Sequence, residues 1–142
     1  MAMASIGVRT TNFTITQASL EIRTTAAVRA TLFALSIVQA TATAQSLGFG
    51  RPQAIGVTPG GSGTPIRDEP GSPACVTTTA LSWGTSPTVP LTFARRWCSA
   101  ATIGVGVIWT FLRGFAVPVS SSVVVWNITT AVACDICVEY DE

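Results

Sequence analysis

The sequence contains no lysine and no histidine among its 142 residues. Without histidine, the chain cannot form a Ser-His-Asp or Cys-His catalytic arrangement, and it has no imidazole ligand for a metal ion. Without lysine, it cannot form a Schiff base or supply the lysine of a phosphate-binding loop. These absences exclude a large share of enzyme chemistry. We therefore expect a protein that is not an enzyme and that has no cofactor and no metal site.

Charge of either sign is also scarce, since eight arginines and seven carboxylates make up 11% of the chain and leave a net charge of +1. A nucleic-acid-binding protein normally gathers an excess of basic residues to displace counterions from phosphates, so we expect no nucleic-acid partner. A soluble domain usually carries about a quarter of its residues as charges. The deficit indicates that other subunits cover part of the surface. We expect a homo-oligomer, with a trimer favoured.

The chain has no uninterrupted apolar run of the about twenty residues that a membrane helix needs, and we expect no membrane contact. Residues 28–44 (VRATLFALSIVQATATA) have the composition of a signal peptide. They lie too far along the chain, because a signal occupies roughly the first 15–30 residues. We interpret the part from Val28 to Gln39 as a buried strand. An amphipathic helix is the alternative, but no convincing N-cap precedes the segment, and Thr, Val and Ile recur on both of its sides.

What the sequence does have is the composition of strands, with 21 threonines, 12 serines and many valines and isoleucines. Apolar and polar residues alternate in about eight segments that are separated by Gly, Pro and Ser. This spacing predicts a single all-β domain over residues 1–142, an antiparallel β-sandwich or jelly-roll-like barrel. Residues 1–18 are predicted to be an N-terminal arm or edge strand, and residues 131–140 the last strand.

A Gly/Pro/Ser-rich segment, residues 56–74 (GVTPGGSGTPIRDEPGSPA), has no periodicity and is predicted to be a long loop. Loops of this length in a compact domain are usually functional or flexible. The segment contains a small charged cluster at Arg67, Asp68 and Glu69. We interpret it as a contact arm for a partner, with a solvated loop as the alternative.

The four cysteines include a C-x-x-C pattern at Cys134 and Cys137. In a strand these two side chains project to opposite faces, which does not suit a shared metal ion or a redox pair. We interpret the cysteines as small apolar residues in a reducing compartment. A disulfide between Cys75 and Cys98 would require an oxidising one. The carboxylates near the C-terminus predict a solvated or partner-facing strand edge rather than a catalytic pair.

Arginine and tryptophan are the residues most enriched among interface hot spots, and they cluster around position 96. Arg95 and Arg96 are adjacent in a predicted strand, so they must point to opposite faces, and at least one reaches solvent or a neighbour. At least two of the four tryptophans are expected to fill the core. The candidate partner contacts are Arg95, Arg96, Trp97, Arg113, Arg67, Asp68 and Glu69.

Three segments cover most of the chain: LFALSIVQATATAQSLGFGRP, TTTALSWGTSPTVPLTFARRW and SSSVVVWNITTAVACDICVEYDE. In their low charge, abundant threonine and short strands, they resemble small all-β virion proteins of tailed bacteriophages that decorate or cement heads. The resemblance implies a structural protein that is made in the host cytoplasm and binds the major capsid protein or other virion proteins on the capsid surface. A tail or fibre accessory module that binds a receptor or glycan is the alternative. A small hydrolase that uses cysteine or carboxylates is a third.

Overall fold

The computed structural model describes residues 3–130 and 132–142, and within these ranges the chain forms twelve β-strands. Met1 and Ala2 of the predicted arm, and Ala131 at the start of the predicted last strand, lie outside the described residues. Over the described part of the chain, no helix has the length and apolar character needed to cross a membrane. The strands are β1 (Met3–Arg9), β2 (Ala18–Arg23), β3 (Ala30–Gln39), β4 (Gln45–Gly50), β5 (Val57–Gly60), β6 (Ile66–Arg67), β7 (Thr78–Ala80), β8 (Ser82–Thr85), β9 (Arg95–Ser99), β10 (Gly106–Val117), β11 (Ser122–Asn127) and β12 (Cys134–Asp141).

Ten of the strands form two antiparallel five-stranded sheets that pack face to face. The first sheet has the order β10-β3-β12-β1-β6, and the second has the order β7-β2-β11-β4-β9. The pairing is nested along the chain: β1 pairs with β12, β2 with β11, β3 with β10 and β4 with β9. This nesting is the strand order of a jelly roll. The predicted fold class, an all-β antiparallel sandwich or jelly-roll-like barrel, is confirmed.

The main core lies between the two sheets, and it is built by the alternation that the sequence predicts. In β3, Leu35 and Ile37 are fully buried, whereas Val38 is exposed on the outer face of the first sheet. The segment that could have been a helix is therefore a strand. At one side of the sandwich the core is aromatic, because the ring of Phe49 lies 5.4 Å from that of Phe111 and 5.1 Å from that of Phe115.

The outer face of the second sheet is also buried, which gives the molecule a third layer. Val124 and Trp126 of β11 form a second apolar cluster there with Ala18. Trp83 and Phe93, from the covering segments 51–60 and 82–93, pack against this cluster. Among the described residues, the outer face that is mostly open to solvent is therefore that of the first sheet.

A buried carboxylate, Glu21, joins this third layer to the second sheet. It accepts hydrogen bonds from the Gly56 amide at 3.1 Å, the Trp83 indole at 2.7 Å and the Ser122 hydroxyl at 2.6 Å. It also forms an ion pair with Arg23, whose guanidinium nitrogen lies 2.8 Å away. A buried charge requires such partners, because removing it from water is costly unless hydrogen bonds and a counter-charge replace the hydration.

The long unstructured loop predicted at residues 56–74 is not present as such, since two short strands lie within it. β5 pairs with β8 to form a separate two-stranded sheet, and β6 pairs with β1 at the end of the first sheet. The residues of β5 and β6 are nearly all exposed, so they have no apolar alternation by which the sequence could reveal them. Because β6 pairs with β1, the first strand lies inside the sheet, between β12 and β6.

Candidate functional site

Arg95 and Arg96 lie on β9, which is the edge strand of the second sheet. Their side chains point to opposite faces, as predicted. The guanidinium carbon of Arg95 lies 5.4 Å from the centre of the Phe111 ring, and that of Arg96 lies 5.7 Å from the centre of the Phe93 ring. The two guanidinium groups therefore lie against aromatic rings. Because both arginines are exposed, their charges remain available to a partner.

Arg113 lies on a bulge in β10, the edge strand of the first sheet. In the register with β3, Thr110 is opposite Ala34 and Phe115 is opposite Leu32. The four residues 111–114 therefore lie opposite a single residue of β3. Gly114 makes this possible with a φ of 72°. The bulge exposes Arg113 and leaves the neighbouring Leu112 99% accessible to solvent.

Arg51, which sequence reasoning missed, joins these residues from the end of β4. Its guanidinium donates a hydrogen bond of 2.7 Å to the Ala116 carbonyl and lies 4.2 Å from the centre of the Phe115 ring. The nearby residues Leu91 and Thr92 line a groove of about 370 Å³ that also contacts Arg51 and Phe115. The sequence signal was weak, because Arg51 is isolated in a Gly-Pro turn. We call the four residues Arg51, Arg95, Arg96 and Arg113 the arginine edge.

Trp97, also predicted as a contact, is half-buried and packs against the main core. Trp109 is the one tryptophan among the described residues that are buried in that core, whereas at least two were expected to fill it. Trp83 and Trp126 pack instead in the second cluster, outside the second sheet. The tryptophans therefore stabilise the fold, and the arginines are the part of this group that faces outward.

Arg67, Asp68 and Glu69 lie at the opposite side of the sandwich. They follow or belong to β6, at the end of the first sheet most distant from β10. The Asp68 amide donates to the Met3 carbonyl at 3.0 Å, and the Arg67 guanidinium donates to the Ser72 carbonyl. The seven predicted contact residues therefore do not form one site. They divide between two opposite edges.

Glu142 adds a carboxylate on the side of Asp68 and Glu69. It accepts a hydrogen bond of 2.8 Å from the Thr77 amide. Burial raises the pKa of the nearby Cys75 thiol, the Glu142 carboxylate raises it further, and the Arg67 guanidinium lowers it. We call Asp68, Glu69 and Glu142 the acidic edge.

The open face of the first sheet has a shallow depression of about 420 Å³. Its floor contains the small residues Gly7 and Ser36 beside Cys137, and Arg9 and Asp135 lie at its rim. The Arg9 guanidinium and the Asp135 carboxylate are 2.7 Å apart, and this hydrogen bond lowers the pKa of Asp135 below its ordinary value.

The cysteine side chains are free thiols, and Cys134 and Cys137 project to opposite faces of β12 as predicted. Burial raises the pKa of Cys134 and Cys137, as well as that of Cys75. A raised pKa reduces the thiolate fraction near neutral pH and with it the reactivity toward electrophiles and metals. Within the described residues, no three His, Cys, Asp or Glu side chains are placed to hold a metal ion.

Comparison with protein-family models, with curated proteins and with solved structures finds no match to this chain. What the chain does is therefore inferred from its fold and from the residues at its two edges.

Proposed function

We propose that the chain is a structural virion subunit, a decoration protein that binds and stabilises an assembled capsid. The observation that supports this most directly is the nested jelly-roll order, an architecture that viral capsid proteins share with lectins and cupins. The same fold occurs in proteins with many different functions, so the function has to be argued from the residues on the surface.

The surface favours contact with other proteins. Leu112 is 99% exposed, Leu91 82%, Ile66 69% and Ile108 68%. Apolar residues of this size, on a chain with few charges, indicate surfaces that are covered in an assembly. Near Leu112, Leu91 and Ile108, arginines held on aromatic faces provide a residue type that dominates interface energetics.

The mechanism of stabilisation is mass action. A subunit that binds the assembled lattice, and not the free capsid protein, stabilises the lattice by its binding free energy. A stable contact buries about 800 Å² on each partner, which is a small part of the 6992 Å² of accessible surface that the chain offers. The chain can therefore contact a capsid and a second copy of itself at the same time.

The test is sedimentation of the purified chain with two partners, assembled heads of its virus and the unassembled capsid protein. We expect the chain to comigrate with heads and to leave the free capsid protein unbound. Equal binding to both, or no binding to heads, would overturn the proposal. The Arg95→Glu, Arg96→Glu variant tests whether the arginine edge also contributes to capsid binding, in which case its binding to heads should fall. Arg29→Glu, an exposed arginine in the β2–β3 loop, is the matched control and should bind heads as the unaltered chain does.

A receptor- or glycan-binding tail module is the second candidate. Two grooves of about 380 and 530 Å³ support it, since both contain Gln17 and Ser86, and they adjoin Trp83 and Trp126 respectively. Trp126 is buried, and the indole N–H of Trp83 donates a hydrogen bond to the Glu21 carboxylate. Little of either ring face is therefore free to stack on a sugar. Glycan binding that is lost in Trp83→Ala, with the fold retained, would place this candidate first.

A further inference from the structure

The charges of this molecule are separated between its two sides. The sequence has no Asp or Glu from residue 22 to 67 or from residue 70 to 134. The strands β3, β4, β9 and β10, which form one side of the sandwich, therefore carry no carboxylate. Elsewhere, Arg9 pairs with Asp135 and Arg23 pairs with Glu21. Over the described residues, none of the four arginines of the arginine edge forms a salt bridge with a carboxylate of its own chain.

The opposite side has the opposite sign. The three carboxylates of the acidic edge and the one positive charge of the neighbouring Arg67 sum to −2. Asp141, which lies opposite Met3 at the end of β12, adds a further carboxylate on this side. Asp68 and Glu69 are exposed, and Arg67 is turned toward the Ser72 carbonyl. The arginine edge, with four guanidinium groups, carries +4. Each side therefore attracts the other side of a second molecule.

Exposed apolar residues accompany both sets of charges. Leu112 and Ile108 on β10, with Leu91 nearby, lie on the arginine side. Ile66 on β6 and Met3 on β1 lie on the acidic side. Charge complementarity sets orientation and partner choice, and the apolar residues add buried area to the same contact.

The geometry points to a second copy of this chain as the partner, with the arginine edge of one copy against the acidic edge of the next. Two arginine edges do not face each other, because like charges in contact are repulsive. The contact is therefore head-to-tail and uses two different surfaces of each copy. Such contacts generate a closed ring when the rotation closes, and an open chain of subunits when it does not.

Side chains, rather than a continuous sheet, make this contact. β10 has a free backbone edge, but the bulge at residues 111–114 interrupts it, and β6 offers only two residues to pair with. Bulges and short edge strands are common ways to prevent edge-to-edge strand pairing. The bulge instead projects Leu112 and Arg113 toward the neighbouring copy.

The experiment is a charge exchange read out by light scattering on the purified chain at low salt. One variant reverses the arginine edge with Arg95→Glu, Arg96→Glu and Arg113→Glu, which takes its four groups from +4 to −2. The other reverses the acidic edge with Asp68→Arg and Glu69→Arg. We expect the unaltered chain to have a mass that is a multiple of 14.7 kDa. Each variant alone should be monomeric, and an equimolar mixture of the two should regain the oligomer, because each edge then finds its opposite. Arg29→Glu, an exposed arginine in the β2–β3 loop outside both edges, is the control and should leave the mass unchanged.

An unaltered chain that stays monomeric, variants that keep its oligomeric mass, or a mixture that does not recover it would each overturn the inference. A polyanion is the competing occupant of the arginine edge. If Arg95→Glu, Arg96→Glu, Arg113→Glu abolishes retention on heparin or an oligonucleotide while the oligomeric mass is unchanged, the arginine edge binds a polyanion instead. The inference does not depend on the virion role, since the purified chain alone tests it.

Discussion

At the scale of single residues, Glu21 is where the fold and the sequence pattern diverge most. Alternation correctly places Glu21 and Arg23 on the face of β2 opposite Leu20 and Ile22. It does not reveal that this face is buried, because the covering groups come from Gly56 and the Trp83 side chain, tens of residues away. The alternation within one strand cannot show that residues distant in the sequence pack over its outer face.

Replacing this carboxylate should therefore destabilise the protein strongly. Glu21→Ala leaves the Gly56 amide, the Trp83 indole and the Arg23 guanidinium without their shared acceptor. We expect a loss of about 3–5 kcal/mol in the free energy of unfolding, measured by urea denaturation. Glu139→Ala, at an exposed position on β12, is the control and should leave the urea midpoint unchanged. Similar losses in both variants would show that Glu21 does not join the layers.

The Arg9 and Asp135 pair predicts a pH dependence with a definite sign. Its hydrogen bond to Arg9 lowers the folded-state pKa of Asp135 below the unfolded value of 3.8. The pair therefore contributes stability above about pH 4, and the contribution is lost as pH falls through the lower folded-state pKa. Both side chains are more than half exposed, so the effect on stability is small, and carboxyl NMR is the better probe. Arg9→Gln should raise the Asp135 pKa toward 3.8, and an unchanged pKa would contradict the assignment.

At the scale of elements, the sequence predicts strands well where one face is buried. β3 lies within the predicted strand Val28–Gln39, and β12 begins within the predicted strand 131–140 and extends one residue beyond it. Each packs one face against the core, which produces the alternation. β5 and β6 are missed since they are short, exposed and rich in Gly and Pro. The seven contact residues were identified by type, but their division between two edges follows from sheet order, which no local pattern contains.

The bulge of β10 provides a prediction at this scale. Gly114 has a φ of 72°, and a β-carbon there would lie 2.2 Å from the Thr31 methyl group. Gly114→Ala should cost about 1–3 kcal/mol of folding free energy, from backbone strain and this clash. Gly104→Ala is the comparison, because φ is also positive there but no atom lies within 4 Å of the added β-carbon. It introduces backbone strain without a steric clash. Thermal denaturation should rank Gly114→Ala as the more damaging change, and the reverse order would contradict the bulge geometry.

At the scale of the whole molecule, the nested pairing places the first strand beside the last. Met3 is opposite Asp141 and Arg9 is opposite Asp135. The first sheet is therefore complete only when residues from the two ends of the sequence pair with each other. The same closure brings β9 and β10 to one side and β6 and β7 to the other. Sequence-distant residues of like charge thus gather on each side, and a sequence that is nearly neutral overall folds into a molecule with two oppositely charged edges.

This charge separation predicts how self-association responds to salt. The Debye length shortens from about 10 Å at 0.1 M ionic strength to about 3 Å at 1 M, which screens exposed charges across an interface. If the arginine and acidic edges hold the copies together, light scattering should show the oligomer dissociating toward 14.7 kDa as sodium chloride rises. Arg95→Glu, Arg96→Glu, Arg113→Glu should be monomeric at low salt and show no such decrease. Sodium sulfate provides the opposite control, because it strengthens apolar burial. An oligomer that persists in 1 M sodium chloride and tightens in sulfate would show that Leu112 and Leu91, not the charges, dominate the contact.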